Sequence, residues 1–410
     1  MRYVIIGGSA AGISCAKTIK EMDKEGEVIL ISKDKHIISR CMLHQYLSGE
    51  KSLEALNFAN PGDFFTAYDI TWKRGCEVTA IDAKAHTVTC RGIEEETISF
   101  DKLLLATGAN SFIPPVEGLR EANHVVGFRN IEDVDFIKEK LGSIKNVVVL
   151  GAGLIGMDAV SGLLPYDVKV SLVEMGKRVL PLQLDDYTSD RYYEAFSQLG
   201  VNIKLGVAAQ KVIVDENNNP TGLLLNTGEI LPCELIIVAT GVRANVEVIK
   251  AAGIECDHFG LIINAKGETN TRDIYGAGDV TGRNPIWPKA IKEGIVAGNN
   301  MVGNEIYMTD YFAFKNTMNF IGIPTLSLGV AIKPNESYKE VVQTRGRDYK
   351  KFIVKDGKVY GVLLQGDLSY AGVLTQLVRF KMNIEGIERP IVDIDYGDFF
   401  NIKQNQEYTY

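Results

Sequence analysis

The stretch "NVVVLGAGLIGMDAVSGLL", residues 146–164, admits two readings that lead to different proteins. By hydropathy alone it is apolar and long enough to pass for a membrane span. Its glycines argue otherwise. Gly151, Gly153 and Gly156 spell GxGxxG directly after an apolar run, and Asp158 interrupts the hydrophobic stretch. That spacing predicts a buried strand, a tight turn and a helix. The first glycine permits the turn, the second admits a pyrophosphate close to the backbone, and the third lets helix and strand pack tightly. The helix N-terminus, with Ile155 in its first turn, then faces the phosphates. Glu174 ends the next predicted strand, 21 residues beyond Gly153 (174 − 153). A carboxylate there accepts hydrogen bonds from a ribose 2′-OH and repels a 2′-phosphate, so NADH is expected over NADPH. Lys177 and Arg178, just beyond, weaken that preference.

The same order of parts occurs about 145 residues earlier, which points to a duplicated domain and not a solenoid. "RYVIIGGSAAGISCAKTIKEMDKEGEVILISKD" (2–34) runs strand, glycines, helix, strand. A parallel strand pair needs such a crossover helix. The glycine motif is degenerate: it reads Gly7-Gly8-Ser9-Ala10-Ala11-Gly12, with Ser9 in the middle glycine's place. The strand ends in Ser32, where an acid is expected; its hydroxyl can bond a ribose, and Asp34 is close by. Each unit is followed by a near-duplicate phrase, "DKLLLATGAN" (101–110) and "CELIIVATGVRAN" (233–245). Between them "FIPPVEGL" (112–119) is proline-rich and reads as a linker. "TRDIYGAGDVTG" (271–282) puts Asp279 just after a strand-like run, suited to accept a hydroxyl hydrogen bond, and "WPKAIKEGIVAGNN" (287–300) reads as the helix that follows. Beyond about residue 307 the texture changes. "RDYKKFIVKDGKVYGVLLQGD" (347–367) alternates like a hairpin turning at Asp356-Gly357, and "SYAGVLTQLVRFKMN" (369–383) reads as an amphipathic helix.

Bulk properties agree with several soluble domains. The chain has 410 residues, too many for one core, and its 46% hydrophobic and 23% charged content is ordinary for globular proteins. A formal net charge of −8 argues against nucleic acid as the main partner. "MRYVIIGG" enters a strand at once, so no signal peptide is expected. Six cysteines without a CxxC pair fit neither a disulfide scaffold nor a zinc site and point to the cytoplasm. His36, His86, His124 and His258 show no ligand spacing, so no metal site is expected.

Taken in order over residues 1–305, the glycine motifs, both ATG phrases and the GD phrase resemble the FAD-dependent pyridine nucleotide-disulfide oxidoreductases. That family includes rubredoxin and ferredoxin reductases, the flavoprotein part of nitrite reductases, coenzyme A-disulfide reductases and NADH oxidases. The resemblance implies an α/β fold: two Rossmann-like FAD/NAD(P) dinucleotide-binding domains plus a small α+β C-terminal domain. The implied boundaries are 1–111 and 239–306 for a discontinuous FAD domain, 112–238 for the NAD(P)H domain and 307–410 for the C-terminal domain. It implies that Gly7, Ser9, Ala10, Ala11 and Gly12 hold the FAD pyrophosphate and that Ser32, Lys33 and Arg40 join them. Ala106, Thr107, Gly108, Gly241 and Gly278 are further implied contacts, and Asp279 matches the aspartate that binds the ribityl chain. Trp287, by its spacing to Ala290 and Gly294, matches an aromatic residue near the flavin, with a core tryptophan as the alternative. Asp158 stands where many relatives carry a glutamate near the nicotinamide; its shorter side chain keeps the charge and loses reach. The implied reaction carries hydride from NADH to FAD, then electrons to an external acceptor.

The acceptor turns on "SRCMLHQYLSGE" (39–50). Aligned through Cys41, Tyr46 and Gly49, it resembles the redox-cysteine segment of coenzyme A-disulfide reductases and NADH oxidases. The acceptor is then a small disulfide or polysulfide. Aligned through Arg40, Leu43, Leu47, Gly49 and Glu50, it resembles rubredoxin and nitrite reductases, where no thiol takes part and a rubredoxin-like protein receives the electrons. Arg40, His44 and a following helix are the features that would activate the thiol. Ala10 replaces the histidine of peroxide-reducing relatives, Gln45 replaces the lysine of some ferredoxin reductases, and about 100 C-terminal residues are closer to the compact rubredoxin-reductase type. The balance favours direct transfer. A non-catalytic flavin-binding sensor or complex subunit, and a homodimer in place of a monomer, stay open at this level.

Overall fold

The computed structural model describes residues 1–59, 61–399, 401–402 and 408–409. Contacts divide the chain into two compact units: residues 1–112, 129–136 and 241–313, and residues 113–128, 137–240 and 314–410. The first is built on strands β1 (Arg2–Ile6), β2 (Glu27–Ser32), β3 (Ile70–Arg74) and β7 (Lys102–Leu105), which pair in parallel with Ile274–Gly276 in the order 274–276, β7, β1, β2, β3. The helix Ala10–Met22 makes the predicted crossover from β1 to β2. Between β3 and β7 lies an antiparallel meander of β4 (Glu77–Asp82), β5 (Thr87–Arg91) and β6 (Glu95–Ser99).

The unbroken apolar strands have a simple cause: both faces of the parallel sheet are covered. Tyr3, Ile5, Val28, Leu30 and Leu104 pack on one side with residues of the helices Ala10–Met22 and Trp287–Met301. Val4, Ile6, Ile29, Ile31, Leu103 and Leu105 pack on the other with Ile81, Val88, Cys90 and Ile98 of the meander.

The second unit repeats the plan. Its parallel sheet runs 202–205, 169–174, 146–150, 235–238, 125–126, and the ambiguous segment is strand Asn146–Leu150 followed by helix Leu154–Leu163. Among the described residues no helix is long and apolar enough to cross a membrane. Residues 315–365 form a five-stranded antiparallel sheet. The predicted hairpin is Asp348–Lys355 and Lys358–Gln365; Asp356 and Gly357 have φ of 49° and 65°, as a two-residue turn between twisted strands requires. Helix Ala371–Phe380 buries Val373, Leu374, Leu377 and Val378, the stripe its sequence predicts.

A buried polar cluster joins this sheet to the helix Asp186–Gln198. Asp185 caps that helix, accepting from Thr188 N at 3.0 Å and Thr188 Oγ1 at 2.7 Å, and from Tyr349 OH at 2.6 Å. Lys351 Nζ lies 3.3 Å away. Tyr192 OH donates to Ile323 O at 2.6 Å. Burial alone would raise the Asp185 carboxyl, but the hydrogen bonds from Tyr349 and Thr188 outweigh it and hold the group below the usual carboxylate range. A depressed acid contributes stability above its unfolded pKa and loses it as pH falls through the folded value. Tyr349→Phe is therefore expected to cost about 1–3 kcal/mol at neutral pH, read as a lower urea midpoint, and to lessen the further loss on acidification below about pH 4. An unchanged midpoint would show that the bond contributes nothing.

Candidate dinucleotide sites

In the first unit Gly7 has φ +116°, and a Cβ there would sit 2.0 Å from Ala106 O. A Cβ on Gly12 would meet Gly7 O at 1.9 Å. Only hydrogen fits at either place, so strand, turn and helix close as tightly as a dinucleotide crossover demands. Ser9 caps the helix with extended backbone and gives its hydroxyl to no helical N–H, leaving the helix N-terminus to an anion; Ala10 and Ala11 are buried behind it.

The two ATG phrases come together. Residues 109–111 pair antiparallel with 242–244, Thr107 Oγ1 donates to Asn245 O at 2.7 Å, and Gly241 O accepts from Phe112 N at 2.9 Å. At Gly108, with φ +69°, nothing lies within 4 Å of where a Cβ would stand, so the residue presents bare backbone. Gly278, at φ +85°, lies against Ala11 and Ala290: its Cβ would be 3.0 Å and 3.5 Å from theirs.

Asp279 follows Gly278, and Arg129 Nη2 donates to its Oδ2 at 2.6 Å. Arg129 is itself fixed by its Nε bond to Ala109 O, while Asp133 Oδ2 accepts from its backbone N–H at 2.8 Å. Glu293 Oε2 accepts from Gly278 N at 2.8 Å, and Lys289, 2.6 Å from Glu293 Oε1, donates to Arg283 O at 2.7 Å. Sequence reasoning missed all three side chains. Arg129 comes from a segment with no glycine motif and gave no signal. The Lys289–Glu293 pair did: two opposite charges four apart on the face that carries Gly294.

Around Cys41, Arg40 Nη2 donates to Asp34 Oδ2 at 2.8 Å and Asn130 Oδ1 at 3.1 Å. Arg40 Nε and Gln45 Oε1 are buried and have no partner among the described residues. Cys41 is exposed in the short turn Arg40–Met42, and no cysteine of the six is in a disulfide. Burial lowers His44, with Lys51 adding to the effect and Glu50 opposing it, so the imidazole is no cation at neutral pH. Trp287 opens its helix half-buried, edge-on to Phe58 at 4.7 Å. Two expected contacts point elsewhere. Ser32 is buried with its hydroxyl donating to Asp34 O and accepting from Trp72 Nε1 at 2.9 Å. Lys33 is turned to the exposed Glu77 at 2.9 Å. The tight glycine turn, the open helix end, the bare Gly108 backbone and the orphaned Arg40 Nε together fit an FAD.

In the second unit a Cβ on Gly151 would lie 2.5 Å from Ala239 O, and one on Gly156 1.8 Å from Gly151 O. Gly153, the helix cap, has nothing within 4 Å. The outer glycines thus close the turn, and the middle one leaves a cradle that a side chain would fill; Ile155 is exposed beside it. Glu174 accepts from Ala152 N at 2.8 Å and Gly176 N at 2.6 Å, one bond per oxygen. Its spare lone pairs suit ribose hydroxyls. Arg178 is folded back onto Leu184 O, Pro181 O and Asp186 Oδ1, each at 3.1 Å. These features fit a nicotinamide dinucleotide.

A protein with two such crossovers, one fitted to FAD and one to a nicotinamide dinucleotide, is an FAD-dependent NAD(P)H oxidoreductase. The chain belongs to the pyridine nucleotide-disulphide oxidoreductase family, whose model matches residues 1–294, and residues 315–382 match the rubredoxin NAD+ reductase C-terminal domain. It is 30% identical over 400 residues to an NADH oxidase of Methanocaldococcus jannaschii, covering 89% of this chain and 88% of that one. A rubredoxin-NAD(+) reductase of Alcanivorax borkumensis is 28% identical over 277 residues, 67% of this chain and 71% of that one. Among solved structures an NAD-dependent persulfide reductase from A. fulgidus superposes with a TM-score of 0.85 at 25% identity, over 94% of this chain and 78% of that one.

Asp158 lies on the helix that Gly153 caps, and burial pushes its carboxyl up to about 8. The folded protein therefore keeps a proton that the unfolded chain releases between about pH 4 and pH 8, and stability falls as pH rises through that window. Asp158→Asn is expected to flatten the fall. Thermal unfolding of the flavin-loaded variant should show a midpoint several degrees above the parent near pH 9 and a smaller gain near pH 5. Parallel profiles would refute the raised carboxyl.

Proposed function

We propose that the protein takes hydride from NADH and delivers electrons to a small redox protein of the rubredoxin type. The match of residues 315–382 to the rubredoxin NAD+ reductase C-terminal domain carries this reading. The state of Cys41 supports it: Arg40 is engaged by Asp34 and Asn130, and His44 is neutral, so two of the three features that would activate the thiol are used otherwise. In this reading residues 1–111 and 239–306, joined by 129–136 of the same compact unit, are the FAD domain and the rest of 112–238 the NADH domain, and the cytoplasm, where all six thiols stay reduced, is the compartment.

FAD, when bound, supplies the redox chemistry. The chain supplies position. Gly7, Ser9, Ala10, Ala11 and Gly12 offer the pyrophosphate a helix N-terminus, and Arg40 Nε offers it or the adjoining ribose a charged donor. Asp279 Oδ2 is tied to Arg129, so its carboxylate is aimed and Oδ1 stays available to a ribityl hydroxyl. Glu174, fixed by Ala152 and Gly176, selects a ribose with a free 2′-OH and hence NADH.

A second reading has one observation behind it: Cys41 is solvent-exposed, as a thiol that attacks an external disulfide or persulfide must be. Anaerobic addition of NADH should bleach the flavin band, with NADPH at least tenfold less effective, and a rubredoxin should restore it. Persistence of the yellow band would sink the hydride step. Repeating the assay with Cys41→Ser separates the two acceptors: rubredoxin reduction is expected to stay within about twofold of the parent, whereas loss of all reduction would transfer the role to the thiol.

A further inference from the structure

The meander that backs the first sheet gathers side chains no part of the redox reading uses. In its register Cys90 on β5 stands opposite Val78 on β4 and opposite Glu96 on β6. Cys76 precedes β4, two residues before Val78 and so on the same face. The two sulfurs and a Glu96 carboxylate oxygen all lie within 4.8 Å of one another, with Cys90 Sγ 3.8 Å from Glu96 Oε1. Gly92 makes room for the third member: a Cβ there would stand 2.7 Å from Cys76 Sγ.

We infer that Cys76, Cys90 and Glu96 form a binding site for a thiophilic divalent cation of the Zn2+ type. Distances favour chelation over a disulfide. Tetrahedral zinc with Zn–S about 2.3 Å and Zn–O about 2.1 Å sets S···S near 3.8 Å and S···O near 3.6 Å; Cys90 Sγ stands 3.8 Å from Glu96 Oε1 and all three ligand atoms lie within 4.8 Å of one another. A disulfide needs about 2.05 Å between sulfurs, and diagonal neighbours on paired strands have Cα atoms about 7–8 Å apart, beyond the usual reach of that bond. Charge also balances. Two thiolates, one carboxylate and a divalent ion sum to −1, and Lys73 Nζ, at 2.7 and 2.9 Å from the Glu96 oxygens, neutralises the remainder. Coordination releases one proton from each thiol. Cys90 is buried, Cys76 half-buried and Glu96 exposed, so the fourth position opens to water.

The location gives the ion a consequence. Cys76 N donates to Ser32 O at 2.9 Å, so an ion on Cys76 pins the end of β2, the strand that completes the first dinucleotide crossover. No metal site was expected from the sequence, because its ligands come from β5, β6 and the residue before β4, with no local spacing to betray them.

The flavin-loaded full chain, equilibrated with Zn2+ and freed of excess by gel filtration, should retain one zinc per chain. Cd2+ in its place should give a thiolate-to-cadmium band in the difference spectrum, absent in Cys90→Ser. Glu96→Gln, on an exposed side chain that does not threaten folding, should weaken retention about tenfold or more, at least the loss seen when an outer-shell partner goes. Alkylation of Cys76 should slow at least tenfold with Zn2+ while exposed Cys41 reacts as before. Equal labelling of Cys76 with and without Zn2+, or zinc that washes off the parent protein, overturns the assignment.

Discussion

The molecule depends on a steric exclusion made twice. Where each central strand turns into its helix, two stretches of backbone approach so closely that a single methyl cannot be admitted: a Cβ on Gly12 would stand 1.9 Å from Gly7 O, and one on Gly156 1.8 Å from Gly151 O. That approach aims the helix N-terminus along the strand axis and puts unpaired N–H groups where a pyrophosphate can reach them. At the middle position the two turns differ in kind. Gly153 leaves an open cradle, while Ser9 fills its equivalent with a small polar side chain that makes no cap. The first site thus trades some backbone access for a hydroxyl, and recovers charge complementarity from Arg40.

Around that turn, specificity is a matter of which polar groups the protein leaves unengaged. The side chains of Ser32 and Lys33 are engaged within the protein. Arg40 keeps one buried donor without a partner, and a charged group left so is costly unless something completes it. On the second unit the same logic separates Glu174 from Arg178. The acid is held but retains lone pairs; the guanidinium gives one N–H from each of its three nitrogens to Leu184, Asp186 and Pro181. The proposed preference for an unphosphorylated ribose rests on that asymmetry and not on the acid alone.

Much of this is legible in the sequence. Strand 146–150, helix 154–163, the crossover of the first unit, the turn at Asp356-Gly357 and the helix 371–380 all carry local signals, glycine spacing or a periodicity of 2 or 3.6. Contacts that join distant segments carry none. Arg129 reaches Asp279 across 150 residues, and Tyr349 reaches Asp185 across 164; neither partner's neighbourhood announces the other. The sequence also cannot tell a side chain that faces a ligand from one that faces its own backbone, which is why Ser32 and Lys33 read as contacts. Neutralisation of His44 by burial is hidden for the same reason, although its presence three residues from Cys41 is plain.

Those long-range contacts explain why the neighbours of Cys41 in sequence are poor guides to its chemistry. A thiolate needs a cation that is free to face it. Arg40 is adjacent, yet Asp34 and Asn130 draw its guanidinium away; His44 is one turn on, yet burial strips its charge. Cys76 and Cys90 differ: burial and the Glu96 carboxylate push the Cys90 thiol up to about 11, and Lys73 is engaged by Glu96. They are fourteen positions apart (90 − 76) and nothing near either marks it as reactive, but strand register sets both beside a carboxylate and a lysine. The surroundings of each cysteine are therefore set by β-register and by what competes for each cation, and the most conspicuous thiol in the sequence is not the one grouped with other ligand side chains.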